Sequence, residues 1–185
     1  MATFANCSEA VDYFCRELIH RGMEIDGRLK IKAYAGNGRY VFEDRIVTKS
    51  REVYHIKCRP RGRWFPKDSS RVSDFGKELD ERYKFLIRTF GNEDRSISGV
   101  NEDTILDLLE MESQGYTPYL VTIFPRTGEI LWCHAYEAYD MVMRYGTLPQ
   151  TSFQGMSGMT FCSIPTGWMK SWRGVTVAPP MVEQA

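Results

Sequence analysis

Between residues 29 and 58 the chain carries three β-type runs in quick succession, "LKIKAYA" (29–35), "RYVFEDRIV" (39–47) and "EVYHIKC" (52–58). "GNG" separates the first two and is a strong hairpin signal, while the polar "TKSR" separates the next two. Links this short read as a three-stranded meander. In front of it, "NCSEAVDYFCRELIHRG" reads as a helix. Asn6 is placed to cap it, Glu9 stands three residues on as in a capping box, and Val11, Phe14, Leu18 and Ile19 share a face before Gly22 ends it.

The second half repeats the alternation. "NEDTILDLLEMESQG" reads as a helix capped by Asn101, with Ile105, Leu108, Leu109 and Met111 facing inward and Gly115 as its stop. "TPYLVTIFP" and "GEILWCHA" read as strands around the turn "RTG", followed by a short helix, "YEAYDMVMRYG", and a last strand, "MTFCSIP". Helix, meander, helix and further strands make the expected class α/β, a mixed central sheet with helices on its faces.

At 185 residues the chain suits a single domain spanning 1–185, with a polar insertion at about 59–100 and a flexible tail from about 174. Within the insertion, "FGKELDERYKFLIRTF" (75–90) has a helical apolar pattern. No run approaches the length of apolar sequence that a membrane span needs, which excludes a membrane partner of that kind. The N-terminus has Glu9 and Asp12 where a secretory signal would be basic and then apolar, so the expected location is cytoplasmic. Five scattered cysteines without a C-x-x-C pair point to free, buried thiols rather than a disulfide framework or a zinc knuckle.

The chemistry is concentrated in the third strand. With a period of two, Tyr54, Ile56 and Cys58 face one way and Val53, His55 and Lys57 the other. On the preceding strand Glu43 and Asp44 interrupt an apolar run, and one of the two must share the face of His55 and Lys57.

This arrangement resembles the PD-(D/E)XK nuclease superfamily, and within it the archaeal Holliday junction resolvase type. Glu9 stands near the start of the first helix, Asp44 in the second strand, and "HIK" at 55–57 in the acid-x-Lys place, with "GYTPYLVTIFPRTGEILWCHA" as the later strand pair. The resemblance implies a restriction-endonuclease-like core, α-βββ-α-ββ, and a divalent-metal-dependent endonuclease acting on DNA. It implies Asp44 and His55 as ligands of Mg²⁺ or Mn²⁺, Glu9 as an outer ligand, and Lys57 as the cation that orients the attacking water. His55 stands where the family has an acid, and a nitrogen donor tilts such a site from Mg²⁺ towards Mn²⁺. The alternative is a degenerate nuclease-fold module that binds nucleic acid or a protein without cutting.

Beyond the third strand, "RPRGRWFPK" gathers Arg59, Arg61, Arg63 and Lys67 around Trp64 and Phe65, in a chain whose 24 basic and 24 acidic residues otherwise balance. Arginines so spaced suit phosphates, and an exposed aromatic suits an unpaired base, so this stretch is the expected DNA contact. Resolvase-like nucleases act as dimers, which makes a homodimer a further expectation of the resemblance.

Overall fold

The computed structural model describes residues 3–36, 39–63, 97–145, 148–149 and 160–173. The helix expected at 75–90, Trp64, Phe65, Lys67 and the tail from 174 lie outside these residues.

Helix α1, Cys7–His20, begins as its sequence requires: the Asn6 side chain accepts from the Glu9 amide at 2.9 Å. Its inner face is Ala10, Val11, Phe14 and Leu18, while Ile19 turns to solvent. Strands β1 (Ile25–Gly36), β2 (Arg39–Thr48) and β3 (Glu52–Cys58) form the antiparallel meander. β1 starts four residues earlier than its apolar pattern suggests, because Ile25 and Gly27 pair with Thr48 and Val47 across a bulge.

Strand β4 (Ile97–Asn101) and helix α2 (Glu102–Ser113) carry the chain over the sheet, so that β5 (Thr117–Phe124) lies parallel to β3, with Glu52 beside Thr117 and Cys58 beside Ile123. Asn101 belongs to β4 and makes no side-chain cap. β6 (Glu129–His134) returns antiparallel, followed by helix α3 (Ala135–Tyr145). β7 (Leu148–Pro149) and β8 (Thr160–Pro165) join β4 in a small sheet, and β9 (Lys170–Ser171) adds to β6. The main sheet is mixed and six-stranded, in the order β1-β2-β3-β5-β6-β9. The expected α/β class with a mixed central sheet is the architecture that forms.

Two cores lie on opposite faces of this sheet. On one, Phe14 and Leu18 of α1 pack on Ile46, Tyr54, Ile56, Tyr119 and Trp132, closed by Trp172. Fully burying a side chain of the size of Phe14 or Leu18 contributes about 1.5–3 kcal/mol. On the other face, α2 and α3 cover Leu120, Phe124, Leu131 and Cys133. Neither β4 nor β9 is apparent in the sequence, and Trp172, fully buried, anchors a segment assigned to the approach of a tail.

The cysteine expectation is corrected in part. Cys7 and Cys58 form a disulfide with a Cα–Cα distance of 5.8 Å, because the start of α1 lies against the end of β3. Cys15 and Cys133 are free.

Candidate functional site

The register of the meander decides which side chains meet. Arg45 lies opposite His55 and Asp44 opposite Ile56. Residues directly opposite share a face, so Arg45, His55 and, one pleat further along, Glu43 and Lys57 all project on the face covered by α2. Glu43 is the carboxylate that joins them. His55 Nε2 is 3.3 Å from Glu43 Oε1, and Lys57 Nζ pairs with Glu43 Oε2.

The other ring nitrogen of His55 is also engaged: Arg45 Nε donates to His55 Nδ1 at 3.3 Å. Nδ1 is therefore an acceptor, and the neutral ring carries its proton on Nε2, directed at Glu43. Arg45 Nη1 in turn donates to Asp107 of α2. All four strand residues are buried: His55 is 0% exposed, Arg45 4%, Glu43 7% and Lys57 7%. Thr122 of β5 sits beside Lys57 in the parallel ladder, and its hydroxyl is 2.9 Å from that of Ser98 on β4. The result is a polar seam under α2 and β4, running from Asp107 to Ser98.

Burial acts to raise the Glu43 carboxyl, but the His55 hydrogen bond and the Lys57 ammonium together outweigh it and hold its pKa down at about 2. Burial pulls the His55 imidazole below its ordinary value, opposed by Glu43. The same desolvation lowers Lys57, again against the attraction of Glu43. At neutral pH the Glu43 carboxyl is thus ionised and the His55 imidazole neutral.

Of the residues singled out in the sequence, His55 and Lys57 converge, and Asp44 and Glu9 do not join them. Asp44 faces α1: its Oδ1 pairs with Arg28 Nε at 3.0 Å and Lys30 Nζ at 2.8 Å. The carboxylate that lies beside His55 and Lys57 is its neighbour Glu43. Glu9 is taken up by its own helix start, accepting from the Ala5 amide at 2.6 Å, and α1 packs on the opposite face of the sheet.

The arginines beyond β3 are also placed differently from a row aimed at phosphates. Arg59 turns inward and donates to the Gly99 carbonyl. Arg63 chelates Glu129, at 2.6 Å from Oε1 and 3.2 Å from Oε2. Arg61 is exposed. Arg45 and Asp107 were not apparent in the sequence, although an arginine alternating with Glu43 on a buried strand is a signal that demands a buried partner.

Mg²⁺ or Mn²⁺, as the resemblance implies, takes several oxygen ligands. The converging donors are one carboxylate, with both oxygens engaged by cationic or N–H donors, and one imidazole, with both nitrogens engaged. Among the described residues no group of three or more His, Cys, Asp or Glu is placed to hold a metal. The donor set does not fit the ion. No protein-family model, no curated protein and no solved structure matches the chain.

Proposed function

We propose that this chain is a nuclease-like module that binds nucleic acid without cutting it, its central site reduced to an internal ion pair. The observation that carries this reading is the closure of Glu43 onto Lys57 and His55, with Asp44 on the far face. A hydrolytic centre of the kind resembled needs two carboxylates free to hold an ion beside the lysine. Here the single carboxylate at that position is saturated. The order of helix, meander, crossover helix and strand pair supports the scaffold, and Arg61, exposed just beyond β3, supports nucleic acid as the partner.

Titration calorimetry and a plasmid-nicking assay test this together. Wild type should show no site for Mn²⁺ or Mg²⁺ and no nicking with either. His55→Glu sets a second carboxylate beside Glu43 and should gain Mn²⁺ binding that wild type lacks.

A second reading, a Mn²⁺-dependent endonuclease, is favoured by one feature: Lys57 lies beside a carboxylate of the neighbouring strand, as the resemblance implies. Nicking by wild type in Mn²⁺, abolished by both Glu43→Gln and Lys57→Ala, would establish it in place of the first.

A further inference from the structure

The meander is longer than the sheet that supports it. β2 pairs with β3 only over Asp44–Val47, whereas it pairs with β1 along almost its whole length, from Arg39 opposite Gly36 to Thr48 opposite Ile25. Residues 39–42 of β2, all exposed, and their partners in β1 therefore stand as a two-stranded ribbon projecting past β3. β1 is the outer strand at this end of the sheet, β9 at the other.

Lys32 lies opposite Phe42 and Lys30 opposite Asp44, so Lys30, Lys32, Tyr40 and Phe42 share one face of the ribbon. Phe42 is 65% exposed and Tyr40 55%, the former among the most exposed large apolar side chains described. The Lys32 ammonium sits 4.3 Å from the centre of the Tyr40 ring. Lys30 and Arg28 share Asp44, and Arg28 also reaches Asp12 at 2.7 Å, so Lys32 is the cation of this face that no carboxylate of that cluster neutralises.

Exposed rings with cations beside them are poor solvent-facing groups and good partners for a polyanion that carries flat apolar faces. Duplex DNA hides those faces in its stack; a single strand presents them. Tyr40 and Phe42 are two residues apart on one strand face, a rise of about 6.8 Å, which leaves each ring room for its own base.

We infer that the Lys30–Lys32–Tyr40–Phe42 face of the β1–β2 ribbon binds single-stranded nucleic acid, the rings stacking on bases and the lysines meeting phosphates. This site is separate from the Glu43 seam and from the arginines beyond β3, and it rests on the proposed reading only in taking nucleic acid as the partner.

The probe is a fluorescein-labelled dT20 oligonucleotide, followed by anisotropy at several salt concentrations, with a duplex of equal length as competitor. Wild type should bind dT20 in preference to the duplex. Tyr40→Ala/Phe42→Ala should weaken binding about tenfold or more while leaving the salt slope unchanged. Lys30→Gln/Lys32→Gln should weaken it and flatten the slope of log K against log salt by about 0.7 for each phosphate no longer neutralised. All four side chains lie on an exposed face, and circular dichroism of each variant checks that the fold survives.

If wild type binds dT20 and both double variants bind as wild type does, the ribbon is not the site and the nucleic-acid reading stands elsewhere. If wild type binds neither single strand nor duplex, both fall. If the aromatic variant leaves dT20 affinity unchanged but converts a dimer into a monomer, the ribbon is a self-association face and the inference is overturned.

Discussion

Burying the Glu43 carboxylate costs several kcal/mol of desolvation, which the Lys57 ammonium and the His55 N–H offset. Breaking such a pair from one side is worse than removing it whole. Lys57→Met should lower the unfolding free energy by about 3–5 kcal/mol, and adding Glu43→Leu should recover most of that loss, as read by urea denaturation. Lys57 is therefore not the dispensable surface residue that its place at a strand end suggests.

The pH dependence has a definite sign. The Glu43 pKa is depressed in the fold to about 2, so its contribution is complete above the ordinary carboxylate range and is lost as pH falls through that range towards 2. Its full size is about 3 kcal/mol. His55 is also depressed, so its contribution is present above the ordinary histidine value and begins to fall first, on acidification below about 6.5. Thermal melting should decline between pH 8 and pH 3, and Glu43→Gln should make the fall below the ordinary carboxylate range smaller. Which of Glu43 and Asp44 would enter this site was not legible in the sequence, because parity across two strands depends on the register set by the turn at 48–52. A slip of one residue exchanges every side chain between faces.

The long periodic elements were legible and the short ones were not. α1, α2, β2, β3, β5 and β6 each carry enough alternation or helical spacing to announce themselves. β4 contains Ser98 and Gly99 and β9 has only Lys170 and Ser171; both are strands because a neighbouring strand offers them hydrogen bonds. The Cys7–Cys58 bond was hidden for a related reason, since pairing is decided where elements meet in space. It ties the first turn of α1 to the end of the strand that carries Lys57, across 51 residues of sequence. A loop of that length makes the bond worth about 2–4 kcal/mol through restriction of the unfolded chain. Wild type should melt lower in dithiothreitol by an amount that Cys7→Ser reproduces without reductant; equal melting with and without reductant would show that the bond does not form in solution.

At the scale of the molecule, the sheet is assembled from two stretches of chain that meet along one line. α1 and β1–β3 all come from residues up to 58, and β4–β9 with α2 and α3 all come from residue 97 onward. The line is the parallel ladder between β3 and β5, seven residue pairs from Glu52 with Thr117 to Cys58 with Ile123. The core under α1 draws on both sides of it, with Phe14, Ile46 and Tyr54 from the first and Tyr119, Trp132 and Trp172 from the second. Even the disulfide stays on one side, since Cys7 and Cys58 both precede the line. A backbone break introduced between 64 and 96 should therefore leave two polypeptides that are each incomplete alone, with an open β3 or β5 edge, yet reassemble when mixed. Co-expressed as separate chains, they should co-purify and show one cooperative melt, giving a molecule whose presence can be switched on by bringing its two pieces together.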